Sequence, residues 1–198
     1  MQELFFTTNG YTPSKSNAAY WTNGVVPWFR MEDIRENGRV LSDSLQKVTR
    51  TAVKGGRLFP ANSIIISTSA TIGEHALIGV PHLSNQRFTS LALKPEFAER
   101  LDIKFVFYYC FKLGEWCRKN IASSSFDSVD MYGFKKFFFP IPPLAEQQRI
   151  VAILDAFSTL TSSLTEGLPR EIALRRQQYE YYRDKLLSFP QREAGDAS

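Results

Sequence analysis

The feature that most limits the fold is a change of pattern inside "FFFPIPPLAEQQRIVAILDAF", residues 137–157. Pro140, Pro142 and Pro143 separate an aromatic run from a stretch whose apolar residues recur every three or four positions. Proline fixes φ and donates no backbone hydrogen bond, so neither a strand nor a helix runs through this point. The chain is therefore predicted to divide here, into a domain over residues 1–140 and a helical region over 141–188. The polar tail 189–198 is predicted to be disordered.

Before the divide the pattern is one of short β-like runs broken by turn residues: "LFFTT", "VVPWFRM", "RVLS", "GGRLFPANS", "IIIST", "HALIG" and "FTSLALKP". From Phe97 to Ile121 apolar residues return at helical spacing, with Val106, Tyr109, Leu113, Trp116 and Cys117 on one side, which predicts a helix packed on the sheet. The segment "ASSSFDSVDMYG" has no periodicity, and "FKKFFFP" reads as a last strand.

After the divide, Pro143 suits the first position of a helix, and Glu146 falls in its first turn, where the dipole favours an acid. Leu154, Phe157 and Leu164 follow coiled-coil spacing, and Ile172, Tyr179, Tyr182 and Leu186 continue the rhythm beyond a break at Gly167–Pro169. An apolar stripe of this width needs a surface to cover it. One solution is a hairpin folded back at Gly167. The other is a long, kinked rod docked on another chain, and the expectation adopted is the rod. The predicted class is thus α+β: a small mixed β domain with a packed helix, followed by a long, kinked coiled-coil helix.

Composition narrows the function by exclusion. The 198 residues are 43 % hydrophobic and 22 % charged, which fits a chain that folds in water, and no apolar run is long enough to span a bilayer. A cytoplasmic location and no membrane partner are expected. Cys110 and Cys117 lie two helical turns apart, too far for a disulfide, and read as buried small hydrophobes. His75 and His82 have no acidic or Cys cluster at ligand spacing, so no metal and no cofactor are expected. "IPPL" superficially resembles the motif of amino-methyltransferases, but Ile141 and Leu144 cannot hold an exocyclic amine or stack on a flipped base. No catalytic constellation is visible.

What remains is an aromatic β scaffold, with 16 Phe, 8 Tyr and 3 Trp, that carries polar loops and a net charge of +4. Reading DNA needs cations for phosphates and donors or acceptors that reach base edges. Lys15, Arg30, Ser69, Thr71, Arg87, Ser124, Ser125, Lys135 and Lys136 are the candidate DNA-binding residues. Gln86 in "SNQRF" stands with Arg87 among the side chains that suit base edges, with satisfaction of buried backbone as its alternative role, and Gly73 is expected to form a turn.

Read in order, "GVVPWFRMEDI", "GRLFPANSIIISTSATIGEHALI", "NQRF", "ASSSFDSVDMYGFKKFFFPIPPLAEQQRIVAILDAF" and "LRRQQYEYYRDKLLSF" closely resemble the specificity subunit of type I restriction-modification systems, over about nine-tenths of the chain. The resemblance implies a target-recognition domain followed by one conserved spacer helix region, hence half of a subunit that usually carries two of each. It implies no catalytic activity of its own. The partners implied are double-stranded DNA, modification subunits that methylate adenine, and through them restriction subunits. In the family, "SSSFDSVDM" corresponds to a Gly/Ser/Thr-rich loop on the DNA-facing side; here Phe126 and Asp127 replace smaller or amide residues. An antiparallel homodimer through residues 143–188 would supply the missing half, with Leu154, Phe157, Leu164, Ile172, Tyr179, Tyr182 and Leu186 at the interface and a palindromic, interrupted target. The competing expectation is a non-catalytic coiled-coil scaffold for protein interaction.

Overall fold

The computed structural model describes residues 1–122, 127–163 and 169–189, in two compact units, Met1–Phe139 and one that begins at Pro140. The strands are β1 (Phe5–Asn9), β2 (Val26–Phe29), β3 (Val40–Leu41), β4 (Lys47–Val48), β5 (Ser63–Ser67), β6 (His75–Ile78), β7 (Leu83–Ser84), β8 (Phe88–Leu93), β9 (Ile121–Ala122) and β10 (Ser128–Val129). The helices are α1 (Met31–Asn37), α2 (Ile103–Lys119), α3 (Met131–Lys136), α4 (Leu144–Ser163) and α5 (Pro169–Leu186).

β5, with the sequence SIIIS, is β-branched at its three central positions, which favours extended backbone. It is the middle strand of a five-stranded sheet in the order β1-β8-β5-β6-β3, antiparallel except where β3 runs alongside β6 in parallel. All five of its residues are buried, as expected for a strand covered on both faces. Ile65 joins Phe29, Met31, Ile34, Ile78 and Phe88 in a core under α1. By alternation Ile64 and Ile66 point to the other face, where α2 packs on β5 and β6. A smaller sheet, β4-β2-β7, encloses a second core of Val26, Trp28, Val48, Ala52 and Leu83. Its parallel pairing of β2 with β7 sets Trp28 opposite Leu83 and Phe29 opposite Ser84. That register carries the residues after β2 to the loop after β7.

Asp102 caps α2, accepting from the N–H groups of Lys104 and Phe105, so the helix starts six residues later than Phe97. Its buried face is Phe105, Val106, Phe107, Tyr108, Cys110, Leu113, Gly114 and Cys117, while Tyr109 and Trp116 sit at its margin. Both cysteines are buried free thiols, and burial pushes Cys117 up to about 12. Phe137 and Phe139 complete an aromatic cluster with Phe5, Tyr109 and Trp116.

Three expectations are corrected. "MEDIREN" is a helix, α1, where no element was expected. "FKKFFFP" contains no strand: Asp130 accepts from the N–H groups of Tyr132 and Gly133 and starts α3, and this cap outweighs the β preference of the aromatic residues. The single long, kinked helix is two helices, α4 and α5, that pack on each other, with Phe157 and Tyr182 stacked at 5.6 Å between ring centroids. A partner on the same chain covers part of the stripe without the rotational and translational entropy that a second molecule would lose, while Leu160 stays exposed. Pro169 opens α5 as expected, whereas Pro143 precedes α4 and its carbonyl accepts from Glu146 and Gln147 N–H. Gly167 and the tail from residue 190 lie outside the described residues.

Candidate nucleic-acid interface

Lys15, Arg30 and Arg87 come from three separate loops and line one cleft of about 640 Å³ in the first unit. The parallel β2–β7 register accounts for the meeting of Arg30 and Arg87: Asn85 N–H donates to Phe29 O at 3.0 Å, which locks the turn Asn85–Arg87 beside the end of β2. Lys15 arrives on the loop after β1, which is tied to the same turn by Gly10 N–H to Phe88 O and Tyr11 N–H to Ser84 O, both 2.8 Å.

The floor of the cleft is aromatic. Trp21 and Trp28 meet edge to face at 5.0 Å, and their indole N–H groups donate to Ser14 O and Tyr11 O, each at 3.0 Å. The Arg30 guanidinium lies 5.5 Å from the Trp28 ring centroid. Its backbone is pinned by Asp33, a fully buried carboxylate that accepts from Arg30 N–H and Leu45 N–H, each at 2.6 Å. Arg30 Nε makes no hydrogen bond among the described residues, and its nearest carboxylate oxygen, of Glu32, is 3.9 Å away. Among the described residues Glu32 is the one acid that lines the cleft, against three cations, which makes that lining electropositive. Gln86 and Thr12 complete its rim, joined by a hydrogen bond from the Thr12 hydroxyl to Gln86 Oε1.

The remaining candidates fall elsewhere. Thr71 lines a neighbouring cavity of about 690 Å³ with Arg35, Arg39, Glu74 and Arg118, and its buried hydroxyl has no partner among the described residues. The Ser69 carbonyl accepts from the Ser67 hydroxyl at 2.8 Å, and Ser69 forms a bridge with Ser128. Gly73 does sit in a turn, with φ +88°. Lys135 and Lys136 are exposed on α3 and line neither cavity; Lys136 Nζ stands 4.0 Å over the Tyr132 ring. Ser124 and Ser125 lie outside the described residues.

Gln86 does not satisfy buried backbone: it is exposed, and its bond is to a side chain. Adjacency in the sequence already marks Trp28 as a ring for Arg30 to stack on, as it is here, whereas nothing comparable marks Thr12 or Trp21. The signal for Trp21 is that it is a second tryptophan in the segment that leads through Trp28 to Arg30, a pattern suited to holding a planar guanidinium.

In the second unit, Leu154 is fully buried and Phe157 and Tyr182 contact each other. Tyr179 and Leu186 are partly buried, Ile172 lies in α5, and Leu164 is outside the described residues.

Comparison with known proteins gives a consistent result. The family described as Type I restriction modification DNA specificity domain matches residues 1–174. The specificity subunit of the type I restriction enzyme EcoprrI from Escherichia coli is 62 % identical over 98 % of this chain and 50 % of its own length. The EcoR124I/EcoR124II specificity subunit, also from Escherichia coli, is 43 % identical over 93 % of this chain and 46 % of its own. The chain thus spans about half the length of these curated relatives. Among solved structures, the HsdS subunit from Thermoanaerobacter tengcongensis shares the fold, with TM-score 0.59 and 19 % identity over 94 % of this chain and 43 % of that one. A chain from work on complex assembly and conformational transition of the type I R-M system gives TM-score 0.65 at 19 % identity, over 93 % and 44 %.

Proposed function

This chain belongs to the family of type I restriction-modification specificity subunits, and from that premise we propose that it reads duplex DNA by sequence and presents the site to partner modification subunits. On this reading the chain is non-catalytic: modification subunits methylate adenine at the site it selects, and restriction subunits act through them.

The observation that carries the reading is the convergence of Lys15, Arg30 and Arg87 on one electropositive, aromatic-floored cleft. An ammonium on a flexible stem suits a phosphate as a point charge, whereas a guanidinium held against a ring offers a planar fork to a phosphate or a guanine edge. Ser69, Thr71, Lys135 and Lys136 are proposed as further contacts outside that cleft, and Ser124 and Ser125 are proposed as contacts as well.

Co-expression with the cognate modification subunits, followed by sequencing of methylated bases, should yield one defined motif. If methylation is absent or scattered, the assignment fails. In the assembled complex, Lys15→Ala should weaken binding about equally for all sequences and lower the slope of log affinity against log salt by about 1. An unchanged slope would place the phosphate contacts elsewhere.

We also propose that two copies pair through the helical unit, giving two identical readers and an interrupted palindromic target. With the Phe157–Tyr182 contact satisfied within the chain, the pairing surface moves to apolar side chains left outside: Leu174 is 59 % exposed and Tyr181 61 %. Light scattering should return twice the 22.6 kDa chain mass. Leu174→Glu combined with Tyr181→Glu should return the single mass. A single mass for the unaltered chain removes the pairing.

A further inference from the structure

Gln86 occupies the tip of the turn between β7 and β8, beside three cations, and its amide is hydrogen-bonded to Thr12. The Thr12 hydroxyl, from the loop after β1, donates to Gln86 Oε1. In this arrangement the bond is made to the oxygen end of the carboxamide. Oε1 retains a second lone pair and Nε2 retains both hydrogens, so an acceptor and a donor stand side by side at the rim of the cleft.

The backbone beneath this pair is held from both sides. Arg87 N–H donates to Asn85 Oδ1 at 3.0 Å and Phe88 N–H to Asn85 O at 3.1 Å, closing the turn on itself. Asn85 N–H is held by Phe29 O. On the Thr12 side, Gly10 approaches so closely that a Cβ there would stand 2.2 Å from Asn85 O. The segment carrying Thr12 and the turn carrying Gln86 are therefore pressed together main chain to main chain, and the hydroxyl–amide bond lies on a rigid base.

In the major groove an acceptor–donor pair has one matching edge. Adenine offers the N6 donor beside the N7 acceptor; guanine offers two acceptors there, cytosine a donor and thymine an acceptor with a methyl group. We propose that Gln86 is a base-reading residue of this chain and that it takes adenine, with Thr12 as the positioning residue that fixes its amide. The proposal rests on the cleft being the DNA-facing surface. It divides the labour within it: Lys15, Arg30 and Arg87 attract and orient the duplex, and Gln86 distinguishes one base pair.

The test uses the chain assembled with its modification subunits. Methylation mapping first defines the motif of the unaltered protein. Binding is then measured at fixed salt on a panel of duplexes in which each position of the motif is varied in turn. Gln86→Ala should erase the preference for adenine at one position, by about tenfold or more, and leave the others unchanged. Gln86→Glu, which can only accept, should move that position towards cytosine, whose N4 donates. Thr12→Val should weaken the same position and Thr12→Ser should restore it, a pattern that a merely structural threonine would not produce.

Because Gln86 is exposed, its variants should melt with the unaltered chain. An unchanged panel for Gln86→Ala overturns the inference, and so does a uniform loss at every position, while both leave the proposed function standing. Absence of any motif from the unaltered chain overturns the proposed function itself.

Discussion

Gly114→Ala should destabilise the first unit by about 3 kcal/mol, although alanine in a helix interior is ordinarily favoured over glycine by about 1 kcal/mol. Gly114 lies inside α2, and a Cβ built there would stand 2.5 Å from Gly73 O and 3.3 Å from Gly73 C. Both atoms are main chain, so no side chain can swing aside. Reciprocally, a Cβ on Gly73 would be 2.6 Å from Gly114 O. The turn after β5 therefore rests on the helix backbone to backbone, and neither position has room for a methyl group. Gly73 has φ +88° as well, so Gly73→Ala adds the left-handed strain of about 1–2 kcal/mol to the same clash. Gly38, with φ +81°, ψ −162° and nothing within 4 Å of a Cβ, provides a case without a clash: Gly38→Ala should show backbone strain alone, about 1–3 kcal/mol for this glycine-restricted conformation. Urea denaturation of the three variants checks the order. Gly114→Ala as stable as the unaltered chain would mean that the helix and turn do not meet in this way.

Acid should remove about 3 kcal/mol of stability through His82 alone. The ring is fully buried on β7's approach, edge to face with Phe29 at 5.4 Å and Phe59 at 5.6 Å. Its Nδ1–H donates to Val80 O at 2.9 Å, and Nε2 has no partner among the described residues. Burial disfavours the imidazolium and pulls the group from the usual 6.5 down to about 4. As pH falls through 6.5 the unfolded chain takes up this proton first, while the folded chain resists until about 4. The contribution is whole above 6.5, declines between 6.5 and 4, and is gone below. Denaturation at pH 7.5 and pH 4.5, for the unaltered chain and for His82→Gln, isolates it from the carboxylates: the variant should lose about 3 kcal/mol less between the two pH values. Equal losses would show that His82 is protonated in the fold.

The strands were largely legible because "IIIST", "HALIG" and "FTSLALKP" carry β-branched or alternating patterns bounded by turn residues. α1 was not, since seven residues with Met31 and Ile34 as its buried apolar positions are too short to show a period. α3 was misread because three phenylalanines follow it and favour strands, while the Asp130 cap that decides the matter is a single residue. The apolar stripe after Pro143 announced that a partner was needed, but periodicity does not say whose surface supplies it; α5 does. At the site, Lys15, Arg30 and Arg87 could each be picked out as a cation in a polar loop. Their meeting could not, because it follows from ties between segments far apart in sequence: β2 with β7 for Arg30 and Arg87, and the loop after β1 with the turn Asn85–Arg87 for Lys15. The tie between the loop after β1 and that turn likewise hid Thr12 from Gln86.

The turn Asn85–Arg87 has a further consequence for how such a chain can change. Its shape is kept by main-chain bonds and by the side chain of Asn85, and none of these bonds uses the side chains at the next two positions. Gln86 and Arg87 are therefore replaceable type in a fixed press. Substitutions at these two positions change the chemistry presented at the cleft one codon at a time, each printed on an unaltered fold.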